Sequence, residues 1–174
     1  LTRMVEMAQV LAQKVGLNEP EAHALRLAVP LLDIGTSIVP KSILQKSSPL
    51  SDEEVFKIRQ HAEFGYQILQ DSSRPTIQMA AMLAKQHHER WDGKGYPEGL
   101  KGEEIDIRSR IATLVDVFDA LLNERPYKPA WAIDKVVAVL QEESGKHFDP
   151  QLVEYVLEDL PAFIAIQARY PNKT

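Results

Sequence analysis

No cysteine occurs among the 174 residues, which removes disulfides, thiolate chemistry and sulfur-ligated zinc together. Nor does any run approach the ~18–20 consecutive apolar residues of a membrane-crossing helix. With no signal-like start either, a cytoplasmic location without membrane insertion is expected. Positive charge is scarce. The 20 Lys and Arg against 25 Asp and Glu leave a net charge of −5, which argues against nonspecific binding of DNA, RNA or an anionic membrane. An anionic ligand therefore needs a local cationic patch or a metal. Glycine is also sparse, and four of the eight fall in one stretch, WDGKGYPEGLKG, from Trp91 to Gly102.

What is present is helical. Met4, Met7 or Ala8, Leu11 and Val15 recur at helix spacing and stop at Gly16. Asn18 and Pro20 open a second helix, which carries Leu25, Ala28, Leu31 and Leu32 to Gly35, bent by Pro30. Ser51 with Glu54 is a capping-box pattern, and the stripe Val55, Ile58, Ala62, Gly65, Ile68 and Leu69 follows it. Another helix is expected from Ser73 or Pro75 to about Glu89, and a long one from about Glu103 to Asn123. Two shorter ones, about Ile133–Glu143 and Pro150–Leu160, close the chain. No run alternates like a strand, so the fold class is all-α, a helical bundle with one irregular, glycine-rich loop. The length suits one domain over residues 1–174. The chain does not begin with Met, and Leu1 already lies in a helical pattern, so it reads as a piece of a longer protein.

Several polar residues share apolar faces. His61 lies on the stripe of Ile58 and Gly65; His87 and His88 extend that of Ile77, Ala80, Ala81 and Ala84. Asp33 ends its helix beside Leu31 and Leu32, and Asp116 flanks the long apolar helix. A single histidine on an apolar face is ordinarily a hydrogen-bonded core residue, and His23 and His147 read as solvated or structural. Adjacent buried imidazoles are harder to satisfy, and several carboxylates buried together repel. One bound cation answers both problems, and these donors without cysteine suit iron, manganese or zinc.

HHERWDGKGYPEGLKGEEI (residues 87–105), DVFDAL (116–121), RPYK (125–128) and GKHFDP (145–150) carry a resemblance to a family. The chain resembles the HD-GYP domain, a bacterial branch of the HD metal-dependent phosphohydrolases, over nearly its whole length. That resemblance implies a helical bundle holding two or three metals and hydrolysing cyclic di-GMP to pGpG or GMP. It implies metal ligation by Asp33, His61, His87, His88 and Asp116, with Asp33 and Asp116 as the catalytic carboxylates. Gly95, Tyr96 and Pro97 match the loop beside the substrate, and Arg125 and Lys128 match cations near its phosphates. An upstream receiver or sensor domain, as in two-component response regulators, and diguanylate-cyclase (GGDEF-type) partners are further implications.

The chain departs from the family at the motif that names it. The family reads His-Asp-Ile-Gly-Lys where this chain reads LDIGT, so Leu32 replaces the histidine and Thr36 the lysine. Leucine has no lone pair to donate. A further upstream histidine precedes Leu1 if Arg3 is its marker, or is replaced by Leu1 if Met4 is. The donors of one metal position (Asp33, His61, His87, His88) are all kept, while the position served by Leu32 and Asp116 has lost one. The expectation is a half-site: one divalent metal per chain, with cyclic di-GMP or a partner protein bound and hydrolysis weak or absent. Two alternatives stay open. Glu89 or Asp119 replaces the lost ligand and hydrolysis survives, or the loop serves only protein contacts, with Trp91 packed on the bundle.

Overall fold

The computed structural model describes residues 1–123 and 130–170, and among them every regular element is helical. Ten α-helices run α1 (Thr2–Lys14), α2 (Glu19–Ala28), α3 (Lys41–Leu44), α4 (Asp52–Arg59), α5 (His61–Leu69), α6 (Pro75–Gln86), α7 (Ile107–Leu122), α8 (Ile133–Glu143), α9 (Pro150–Glu158) and α10 (Leu160–Arg169). Helix α1 packs on α2 and α7, α2 on α6, and α6 on α5, while α8, α9 and α10 close the far side. The shared core is apolar: Met7, Leu11, Leu25, Leu83, Ile111 and Leu114 are fully buried. Phe118 of α7 meets Phe163 of α10 edge-on, ring centres 5.9 Å apart. Among the described residues no helix is long and apolar enough to cross a membrane.

The expected caps form. Asn18 accepts from the Glu21 amide while Glu21 reaches back to the Asn18 amide, and Ser51 and Glu54 do the same. Each pair satisfies two donors that a helix start otherwise leaves open. Beyond α1 the chain turns through Gly16 at φ +79, a left-handed conformation glycine adopts freely.

Four boundaries differ from the sequence pattern, each for a physical reason. Helix α2 stops at Ala28 rather than bending onward, and Val29–Leu31 continues as 3-10 helix, because Pro30 has no N–H and its ring crowds the preceding turn. The stripe from Val55 to Leu69 is two helices, not one. The His61 ring nitrogen Nδ1 bonds the Ile58 carbonyl at 2.6 Å, the acceptor a continuous helix would offer to the Ala62 amide. Helix α4 accordingly projects with no buried residue, and Ile68, expected inside, is 46% exposed. Helix α7 begins at Ile107, capped by the Asp106 carboxylate, after a 3-10 turn at Gly102–Glu104. A further helix, α10, follows the expected end at Leu160, started by Pro161 in its first turn.

Replacing Asn18 with Ala should lower stability by about 1 kcal/mol, and with Gly by only a few tenths; chemical denaturation of both variants checks the order.

Candidate metal centre

Four donors converge from three places in the chain. Asp33 sits in the turn after the first 3-10 segment, heading a second one at Ile34–Ile38. His61 is the first residue of α5, and His87 caps the end of α6, with His88 next to it. Glycine brings these backbones together. A Cβ on Gly35 would lie 1.9 Å from the His61 carbonyl oxygen, and one on Gly65 would lie 2.9 Å from the Ala84 Cβ. The Asp33 turn thus meets α5 backbone to backbone, and α5 meets α6 against the Ala84 methyl, at separations no larger side chain permits.

One ligand atom from each of the four residues lies within 4.8 Å of all the others. His61 Nε2 is 3.3 Å from His87 Nε2 and 3.1 Å from His88 Nε2. Asp33 Oδ1 is 3.3 Å from His87 Nε2 and 3.5 Å from His61 Nε2. Tautomers follow from the opposite ring edges. His61 Nδ1 donates to the Ile58 carbonyl, and His87 Nδ1 lies 2.9 Å from the Ala84 carbonyl and 3.1 Å from that of Leu83. With the proton on Nδ1, each Nε2 presents a lone pair to the other. Two lone pairs at that distance repel unless a cation or a proton stands between them. Donors about 2.0–2.2 Å from a common cation stand roughly 3.0–3.5 Å apart, so the observed spacing fits a shared metal. The carbonyl contacts on Nδ1 are the kind of outer support that fixes a ligating imidazole.

Electrostatics keep the rings available. Burial, with help from His87 and His61, pushes His88 down to about 3. Burial lowers His61 as well. Asp33 is held below the ordinary carboxylate value by the neighbouring His87 ring, against a burial effect that would raise it. One expectation needs correction: Asp33 is not at a buried position, since its side chain is 60% exposed, and only its oxygen faces the imidazoles.

The loop that follows is built on this turn. Glu89, only 2% exposed, accepts from the Glu98 amide at 2.7 Å and the Leu100 amide at 2.9 Å. Burial pushes its carboxyl up. A Cβ on Gly95 would lie 2.5 Å from both the Arg90 nitrogen and the His88 oxygen, so only glycine lets the loop pass here. The Tyr96 amide donates to the His88 carbonyl, and its ring stacks on the His88 ring at 4.8 Å and 14°. Pro97, after a cis peptide, is exposed. Thr113 of α7 anchors the turn through the His87 carbonyl at 3.0 Å. Trp91 packs on the bundle, half-buried beneath the Arg110 guanidinium.

Among the described residues, none of the remaining candidates joins this group of donors. Asp116, half-buried on α7, is not among the four clustered donors. Leu32 is 3% exposed and belongs to the apolar core, and Thr36 is half-buried. Of the two proposed substitutes, Glu89 holds loop amides, and Asp119 pairs with Arg3 at 2.6 Å and with Asn123. His23 is exposed, and His147 stacks on Phe148. Arg125 and Lys128 lie outside the described residues. Glu89 as organiser of the loop was not foreseen; its place directly after the histidine pair was the available signal.

An HD domain family model matches residues 1–152. The chain is 43% identical over 157 residues to the cyclic di-GMP phosphodiesterase response regulator RpfG of Xanthomonas campestris, covering 90% of this chain and 42% of that protein. It is 42% identical over 170 residues to the 3′3′-cGAMP-specific phosphodiesterase 2 of Vibrio cholerae, covering 98% of this chain and 33% of that one. A cyclic di-GMP phosphodiesterase of Thermotoga maritima is 39% identical over 148 residues, 85% of this chain and 40% of the relative. The chain thus spans less than half the length of these curated relatives. The crystal structure of a cyclic GMP-AMP specific phosphodiesterase from V. cholerae superposes with a TM-score of 0.71 at 24% identity, over 94% of this chain and 44% of that one, which shows the shared fold.

Gly35→Ala should cost about 1–3 kcal/mol through overpacking and displace Asp33 from the imidazoles. Thermal melts and the manganese content after dialysis check this; unchanged values in both would refute the close-contact account.

Proposed function

Because the chain belongs to the HD domain family, in its HD-GYP branch, we propose that it is a one-metal cyclic dinucleotide module. It binds cyclic di-GMP beside the cluster and cleaves it weakly or not at all. In this reading it is the signalling part, a single domain, of a longer protein. The observation that carries it is the contrast between two positions. Asp33, His61, His87 and His88 form a complete donor set, while the neighbouring Leu32 is sunk in the apolar core and donates nothing.

When bound, a divalent cation would polarise a phosphoryl oxygen and acidify a water, and pairing two of them makes that chemistry efficient. Asp33 and the three histidines are the residues proposed to hold one such ion. The chain's own groups do the rest. Carbonyl contacts at Nδ1 orient His61 and His87, and Glu89 fixes the loop through two amides. Tyr96, pushed up to about 12 by burial, stays a neutral phenol whose ring covers His88 on the substrate side.

A working phosphodiesterase is the second reading, favoured by the enzymes this chain is similar to, named for cyclic di-GMP in some cases and for 3′3′-cGAMP in others. A surface for diguanylate-cyclase partners is the third. Measurement separates them. Anaerobically purified protein should carry about one metal per chain, lost on replacing His87 with Ala, whereas two or more tightly held ions would overturn the half-site. Cyclic di-GMP should bind without appreciable turnover in manganese or ferrous iron; rapid turnover would establish the enzyme, and no binding would leave the interaction surface.

Leu32→His with Thr36→Lys should raise turnover at least about tenfold, and the buried imidazole should lower the apo stability by roughly 1–3 kcal/mol. No gain in a correctly metallated double variant would place the defect elsewhere.

A further inference from the structure

One charged group at the rim of the cluster has no role yet. Arg59 is the last residue of α4, two positions before His61, and its side chain is exposed. Its guanidinium carbon lies 5.0 Å from the centre of the Tyr96 ring, the ring that stacks on His88. Among the described residues no carboxylate pairs with it. Arg26 and Arg74 share this among the described residues, and Arg59 differs from them in lying over the ring that stacks on His88. Arg3, Arg90, Arg108, Arg110 and Arg169 each pair with a carboxylate. Asp33 is close to the same rim and largely exposed, yet it turns its oxygen to the imidazoles.

An arginine lying over an aromatic ring has its face engaged and its N–H edge free. That edge is a fork of donors matched to the two unbridged oxygens of a phosphodiester. Contact with Tyr96 also limits the side chain's conformers in advance, so less freedom is lost when an anion arrives. The backbone couples the two functions: the break in the helix at Gln60 aims His61 into the cluster and leaves Arg59 at its mouth. A positive charge at the mouth of the cluster, in a chain of net charge −5, favours an anion there.

We infer that Arg59 is a phosphate-binding residue of this site, gripping a phosphodiester of the cyclic dinucleotide beside the Tyr96–His88 stack. It supplies the positive charge that Thr36 lacks. The inference rests on reading the cluster as a cyclic dinucleotide site, and the test keeps the two apart.

Titration calorimetry on the manganese-loaded protein uses two probes, cyclic di-GMP and guanosine monophosphate. Arg59→Ala should weaken both about 10–100-fold, the worth of a charge-assisted hydrogen-bonded pair, with Arg59→Lys recovering part of the loss. Metal content should not change, and the salt dependence of binding should flatten in the alanine variant. A merely structural role for Arg59 would move neither salt dependence nor lysine rescue. If the wild type binds only the monophosphate and Arg59→Ala removes that binding, the arginine assignment stands and the cyclic dinucleotide reading falls. Affinities of wild type and Arg59→Ala within about twofold for both probes, or no binding of either probe by the wild type, overturn the assignment.

Discussion

Imidazole lone pairs and a carboxylate oxygen face one another across gaps of 3.1–3.5 Å, and most of the remaining architecture follows from keeping them there. The arrangement is unfavourable taken alone, since His61 and His87 commit their ring protons to backbone carbonyls and have none to offer each other. It persists because backbone packing sets it. Gly35 and Gly65 allow the Asp33 turn, α5 and α6 to approach within a distance at which side chains have no alternative direction. Rigid scaffold first, charge second: the bundle imposes a geometry that a cation would complete.

The same turn serves two faces. His88 points into the donor cluster, and Glu89, the next residue, points the other way and holds the glycine-rich loop by its amides. Tyr96 closes the circuit by lying back on His88, and Arg59 lies over Tyr96. The loop and the cluster are therefore separated by a single ring contact.

Local chemistry was legible in the sequence. The capping boxes at Asn18 and Ser51 depend on residues three apart, and the donors His61, His87 and His88 were marked by their places on apolar stripes. The misreadings had non-local or competing causes. The stripe through Ile58 and Ala62 is unbroken in sequence; the break between α4 and α5 comes from a ring nitrogen taking a helix carbonyl, which periodicity does not register. Asp33 looked buried beside Leu31 and Leu32, but the turn that follows Pro30 carries it outward. Glu89 was considered for its charge, while its function is to accept amides from residues nine and eleven positions later. For Arg59, no pattern distinguished an unpaired guanidinium from an ordinary surface charge.

The cluster also has a mechanical side. Its donors belong to segments centred on positions 33, 61 and 87, widely separated along a chain that owns no cysteine. An ion seated among them would tie those segments as a disulfide ties two, closing large loops whose entropic penalty grows only with the logarithm of their length. A cellular shortage of metal would then be felt as looser cohesion of the bundle, and not only as idle chemistry.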